Sequence, residues 1–205
     1  MMKALVCREH GLPDKLDLTA DWPQPELGDN DVLVSVKAAG LNFPDVLIIQ
    51  GKYQFQPDLP FVPGGEIAGE VIAVGAAVSK WKAGDKVVAM TGAGAFCAQV
   101  AVSEHAVMPM PGGLSFEQAA GVSMTYFTSY HALVQRARIQ PGETLRVLGA
   151  AGGGGTTAVE VGKMLGARVS AAASSDATLE VSRPLGADEV LSYCTSSLKA
   201  PGQAL

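Results

Sequence analysis

Apolar and polar positions alternate around β-branched residues in Val32-Leu33-Val34-Ser35-Val36-Lys37-Ala38-Ala39, which predicts a half-buried strand. Glu66 to Val74 predicts a second strand, with glycines where another backbone can pass close. Lys86 to Met90 and Ala98 to Val102 predict two more. Turn clusters separate them: Leu27-Gly28-Asp29-Asn30-Asp31, Val62-Pro63-Gly64-Gly65 and Ala83-Gly84-Asp85. Short strands at this spacing predict a small, barrel-like β domain. One helix is expected at Pro44 to Gln50, with Asn42 near its cap, Pro44 in its first turn and Gly51 as its stop.

The pattern changes near residue 112. Ser115-Phe116-Glu117-Gln118 has the spacing of a capping box, so a helix is expected from Phe116. Gly121 and the Ser/Thr-rich stretch Ser123 to Ser129 are expected to interrupt it, with helix resuming to about Arg138. Beyond Pro141-Gly142-Glu143, Thr144 to Leu148 is a short apolar strand, followed by Gly149-Ala150-Ala151-Gly152-Gly153-Gly154-Gly155. A helix is then expected over Thr156 to Leu165, a strand over Arg168 to Ala173, and a third strand over Val190 to Ser192. Strand, glycine loop, helix and strand within about 30 residues match a dinucleotide-binding unit. Glycine lets the backbone approach a pyrophosphate, and the first amides of the following helix face its charge. Ala150 replaces the first Gly of G-x-G-x-x-G, leaving Gly152 and Gly155 in register; the bland alternative is a flexible linker. The second strand ends in Ala173-Ser174-Ser175. These small hydroxyl residues leave room for a 2′-phosphate and favour NADP over NAD, with Asp176 read as a first-turn residue of the next helix.

Composition narrows the classes. Of 205 residues, 24 are glycine with no three-residue period, which excludes collagen. A hydrophobic fraction of 48% excludes a largely disordered chain. No apolar run reaches the ~18 residues of a membrane span, and charge returns at Arg8-Glu9 before a signal-peptide core forms. With 15 Lys and Arg spread singly and a net charge of −5, no phosphate-tracking stripe exists, so nucleic acid is not an expected partner. Cys7, Cys97 and Cys194 are odd in number and far apart, which suits a reducing cytoplasm.

Five motifs in order carry a resemblance: Ala38-Ala39-Gly40-Leu41-Asn42-Phe43-Pro44-Asp45, Gly51-Lys52-Tyr53, Pro60-Phe61-Val62-Pro63-Gly64-Gly65-Glu66, Tyr130-His131-Ala132-Leu133 and Gly149-Ala150-Ala151-Gly152-Gly153. From Met2 to about Ala200 the chain resembles the zinc-independent quinone oxidoreductases of the medium-chain dehydrogenase/reductase superfamily. The resemblance implies an α/β plus β architecture. A GroES-like β-barrel catalytic domain (residues 1–122), without its C-terminal return segment, precedes the first half of a doubly wound Rossmann domain (residues 123–205). It also implies an active site in the cleft between the domains and zinc-free hydride transfer from NADPH to a quinone or an α,β-unsaturated carbonyl. Zinc-dependent relatives carry Cys where this chain has Asn42 and His where it has Gly65, and they also have a four-cysteine loop; no metal is expected here.

By the same resemblance, Asn42 and Tyr53 are the catalytic candidates, as hydrogen-bond donors to a substrate oxygen. Asn42 and Asp45 fall beside the nicotinamide end and Thr125 against its ring. Ala151, Gly152, Gly153, Gly154, Gly155, Ser174 and Ser175 line the rest of the cofactor, with Tyr193 near the adenosine phosphate. Each has a bland alternative: Asn42 as a helix cap, Tyr53 as a half-buried loop residue, Thr125 as part of a helix break, Tyr193 as core packing. Glu66 stands where relatives keep an acid and is read as a hydrogen-bonding structural residue.

Departures from the family pattern gather after residue 145. Arg146 lies in a strand expected to be covered on both faces. Gly154 replaces a Val that packs helix onto sheet, and Thr156-Thr157 weaken the first helical turn. Thr178 replaces a Lys that meets the 2′-phosphate, and Pro184 falls in an expected helix. The expected third strand ends near Cys194, so weak NADPH binding and slow turnover are expected of this length of chain. Two other readings stand beside the reductase: a non-enzymatic remnant or binding module that pairs its exposed sheet edge with another chain, a second copy of itself included, and an enoyl-thioester reductase.

Overall fold

The computed structural model describes residues 1–175 and 180–192. The chain divides into two units, Met1–Met124 and Thr125–Leu205. In the first, Met2–Cys7 (β1) pairs antiparallel with Leu16–Trp22 (β2). Asp31–Gly40 (β3), Glu66–Val74 (β4), Lys86–Met90 (β5), Gln99–Ser103 (β6) and Val107–Pro109 (β7) form an antiparallel sheet in the order β6-β3-β4-β5-β7. Alternation places Val32 and Val34 of β3, Ile67 and Val71 of β4, Val87 and Ala89 of β5, and Val100 and Val102 of β6 in one buried cluster. Each such branched side chain contributes about 1.5–3 kcal/mol when fully buried. At Gly69 a Cβ would stand 2.7 Å from the Val34 side chain and 3.1 Å from the Ser35 carbonyl carbon, so glycine permits the close passage of β3 and β4.

Two helices belong with this sheet. Phe43–Ile49 (α1) is capped by Asn42, has Pro44 in its first turn and ends before Gly51 at φ +65°. Phe116–Ala120 (α2) starts at the expected capping box. Gln118 N donates to Ser115 Oγ at 3.2 Å, and Ser115 N donates to Gln118 Oε1 at 2.9 Å. Ala119 and Ala120 of α2 pack on Ala68 and Val88, the opposite face of the sheet.

Ser123–Tyr130 (α3) continues as a π-helical turn over His131–Arg136. In the second unit, Thr144–Leu148 (β8), Arg168–Ala173 (β9) and Glu189–Ser192 (β10) form a parallel sheet in the order β10-β9-β8, with Gly153–Met164 (α4) between β8 and β9. Val147, Ala150, Val159, Ala167, Val169 and Ala171 make its core.

Several expectations need correction. The Ser/Thr-rich stretch does not break helix. Ser129 Oγ donates to the Gly154 carbonyl at 3.1 Å and shares a 2.8 Å hydrogen bond with Thr157 Oγ1, whereas the buried Ser123 Oγ has no hydrogen-bond partner among the described residues. The helix expected from Thr156 begins three residues earlier at Gly153, since the Thr156 N–H already donates to the carbonyl of the N-cap Gly152 at 2.8 Å. Pro184 lies in turns that run from residue 180 to 186, not in helix. Arg146 is exposed because it lies with Thr144 and Leu148 on the face of β8 opposite the buried Val147, and its charge carries no burial cost. The β1–β2 hairpin and β7 are additions to the expected strands. Asp176, Thr178, Tyr193 and Cys194 lie outside the described residues. Among the described residues no helix is long and apolar enough to cross a membrane.

Candidate functional site

In the first unit, the turn from β3 into α1 gathers three polar side chains in an apolar surrounding. Asn42 caps α1, and its backbone N–H donates to Asp45 Oδ2 at 2.8 Å. Its side-chain Nδ2 donates to Glu66 Oε1 at 2.7 Å. The other oxygen of Glu66, Oε2, accepts from the Met124 backbone N–H at 2.8 Å. Asp45 is 3% exposed and Glu66 1%. Burial pushes the Asp45 carboxyl above the ordinary aspartate range. The Asn42 and Gly64 backbone hydrogen bonds oppose that shift, and the nearby Glu66 charge adds to it.

Asn42 therefore caps its helix while its carboxamide donates to Glu66. Asp45 is brought into the same cluster. Tyr53 packs against Cys7, Ile48, Ile49 and Phe61 as a half-buried residue. Glu66, expected only as a structural hydrogen-bonding residue, is the hub of the cluster; the signal for it is its place beside Gly64-Gly65 at the start of β4. Cys97 Sγ lies 3.0 Å from both the Gly94 and Gln99 carbonyl oxygens, to either of which its single S–H can donate, and burial pushes its thiol up, as suits a packing residue and not a nucleophile.

In the second unit, Gly149 takes φ +68° at the end of β8, and Gly152 N donates back to the Gly149 carbonyl at 3.0 Å. Gly152 is the N-cap of α4 in extended conformation. A Cβ at Gly155 would collide with the Gly149 carbonyl oxygen and stand 2.7 Å from the Ala150 Cα, so only glycine fits there. Gly152, Gly153 and Gly154 are exposed. Thr125 is brought to this turn: its methyl group would stand 3.2 Å from a Cβ at Gly153, and its carbonyl accepts from Thr157 Oγ1 at 3.2 Å. Ala151 lies in the turn itself, and Ser174 and Ser175 form a bend directly after β9. Tyr193 lies outside the described residues. Among the described residues no three His, Cys, Asp or Glu side chains gather as metal ligands would.

A GroES-like antiparallel sheet followed by a strand, glycine turn, helix and parallel strand defines a medium-chain dehydrogenase/reductase fold. Residues 28–135 match the alcohol dehydrogenase GroES-like domain family. A quinone oxidoreductase-like protein 2 homolog of Nematostella vectensis is 37% identical over 199 residues, covering 96% of this chain and 54% of that protein. Among solved structures, the Pseudomonas syringae pv. Tomato DC3000 quinone oxidoreductase superposes with a TM-score of 0.90 at 33% identity, over 97% of this chain and 61% of its own. The quinone oxidoreductase of Thermus thermophilus, solved also in complex with NADPH, gives 0.83 at 39% identity, over 94% of this chain and 60% of its own. The chain belongs to the alcohol dehydrogenase GroES-like domain family and is similar to these quinone oxidoreductases, of whose length it spans a little over half.

Proposed function

We propose that this chain is the NADPH-binding, zinc-free reductase part of a quinone oxidoreductase, acting in the cytoplasm on a quinone or an α,β-unsaturated carbonyl. The observation that carries the reading is the glycine turn. Gly155 seats the helix against the Gly149 carbonyl, and Gly152 to Gly154 leave the first amides of α4 open to a pyrophosphate. Ser174 and Ser175, small and hydroxylated, suit a 2′-phosphate at the end of β9. When bound, the reduced nicotinamide supplies a hydride. This chain's own contribution is to orient and polarise the accepting oxygen, through the second N–H of Asn42 Nδ2 and the Tyr53 hydroxyl. Water supplies the proton that completes a two-electron reduction to the hydroquinone or the saturated carbonyl. Asn42 and Gly65 stand where zinc-dependent relatives carry Cys and His, which supports a metal-free reaction.

Titration with NADPH and NADH, followed by nicotinamide fluorescence, tests the reading, with quinone and enoyl-thioester turnover assays separating the substrate classes. Gly152→Asp is the informative variant. A Cβ there has only the Gly149 carbonyl oxygen near it, at 3.6 Å, and Asp is a favourable N-cap, so the fold tolerates it. Its carboxylate stands where the pyrophosphate would lie. NADPH affinity should fall at least tenfold with an unchanged thermal midpoint; equal affinity for NADPH in variant and wild type would refute the reading.

A second reading, a binding module, rests on the edge of β8 that has no strand beside it among the described residues. Beside it lies a groove of about 410 Å³ lined by Ala132, Leu133, Leu145, Val147, Leu148 and Ala158, among others. Concentration-dependent association without NADPH binding would favour that reading.

A further inference from the structure

We propose that Glu66 is the positioning residue that fixes which way the Asn42 carboxamide faces, and so which of its groups remains available to a substrate oxygen. The inference rests on the reading of Asn42 as a substrate-facing group.

Glu66 is the first residue of β4 and, at 1% exposure, among the largest fully buried side chains. None of the ion pairs among the described residues includes it. A buried carboxylate without a cation is costly unless hydrogen bonds satisfy it. Both of its oxygens accept from N–H groups: Oε1 from Asn42 Nδ2 at 2.7 Å, Oε2 from Met124 N at 2.8 Å. The neighbouring strand makes room for it. Gly40 pairs with Glu66 across the β3–β4 ladder, and a Cβ at Gly40 would collide with Oε1 and stand 2.6 Å from the Ala120 carbonyl oxygen. A glycine in β3, a carboxamide at the α1 cap and a backbone amide in the first turn of α3 thus converge on one carboxylate.

A carboxamide has a donor end and an acceptor end of nearly the same shape, and turning it by 180° exchanges them. An acceptor-only partner removes that ambiguity: facing Glu66 Oε1, Asn42 must present Nδ2. The Asn42 backbone is held at the same time by Asp45 Oδ2. With backbone and side chain both fixed by carboxylates, the second N–H of Nδ2 and the oxygen Oδ1 point in set directions.

Glu66→Gln tests this because it keeps the shape and can keep both hydrogen bonds. The Met124 N–H can only donate, so the introduced carboxamide must turn its oxygen there. Its nitrogen then faces Asn42, which must turn over to offer Oδ1. The substitution inverts the Asn42 carboxamide without removing it. In the wild-type chain, the Asn42 side-chain amide should give a ¹H–¹⁵N signal shifted downfield and slowed in exchange relative to exposed asparagines. In Glu66→Gln that signature should disappear, the thermal midpoint should hold or rise, and kcat for quinone reduction should fall 10- to 100-fold with KM and NADPH affinity unchanged. An Asn42 amide that resembles exposed asparagines in the wild type, or one unchanged in Glu66→Gln, overturns the proposal. The wild-type spectrum needs no variant to fold. An inverted amide with full turnover leaves Glu66 as the orienting group and instead removes Asn42 from the reaction.

Discussion

The two units shape their chemistry in different materials. The first is built on branched side chains: Val32, Val34, Ile67, Val71 and Val87 are each at most 1% exposed. Inside it, functional groups project as side chains, and Asn42, Asp45 and Glu66 hold one another in register. The second has a core rich in alanine, including Ala150, Ala167 and Ala171, and uses glycine where elements meet. A Cβ at Gly162 would stand 2.5 Å from the Leu145 side chain, and one at Gly155 would strike the preceding turn. Its glycine turn offers main-chain amides rather than side chains as candidate ligand-facing groups. The first unit is therefore sensitive to a change of one atom type, and the second to the addition of one methyl group.

The largest effect should come from removing a branched side chain in the first unit. Ile67→Ala, at 0% exposure, should cost about 4 kcal/mol in urea unfolding followed through Trp22 and Trp81, which both lie in that unit. An effect below about 1 kcal/mol would mean the branched core does not carry the unit.

A smaller effect comes from adding a methyl group in the second unit. Gly155→Ala should cost about 2 kcal/mol, measured by amide exchange in α4, since neither the Gly149 carbonyl nor the Ala150 backbone can yield freely. Its neighbour behaves oppositely. A Cβ at Gly154 meets nothing within 4 Å, so Gly154→Ala should stabilise by about 0.5 kcal/mol. Equal responses at the two positions would show that close approach is not what requires glycine at 155.

The smallest effect is one of pH, and its sign separates the units. Burial raises the Asp45 carboxyl, so its favourable contribution is full below the ordinary aspartate range and fades as pH rises through the raised value. Asp188 is lowered, first by its hydrogen bond from Lys163 and then by that from the Val169 N–H. Its contribution is full above the ordinary range and fades as pH falls through the lowered value. Asp45→Asn should flatten the pH profile of the first unit above the ordinary aspartate range. Asp188→Asn should flatten that of the second unit below it. Stability profiles unchanged by either substitution would contradict both assignments.

The sheet strands were legible where alternation met turn residues, as at β3, β4, β5 and β8, and the Ser115–Gln118 box marked the start of α2. The β1–β2 hairpin was not, because β2 is mostly exposed and its charges blur any period of two. The course of α3 was hidden for a different reason. Its serines and threonines look like breakers until Ser129 and Thr157 are seen bonded across two helices. At the candidate site, Asn42 was readable as a helix cap, whereas Asp45 entered only through the family resemblance. The Glu66 contact spans 24 residues of sequence and depends on an empty place at Gly40, which no local pattern signals.

Arg146 looks like a misplaced charge in an apolar strand, yet it is the middle residue of the five in β8 and lies exposed on what is, among the described residues, the outer strand of the sheet. If two copies met edge to edge in antiparallel, centred register, each guanidinium would stand opposite its twin, at a spacing where like charges repel. Among the described residues β8 has no further neighbour, and Arg146 places a charge there that disfavours pairing with a second copy.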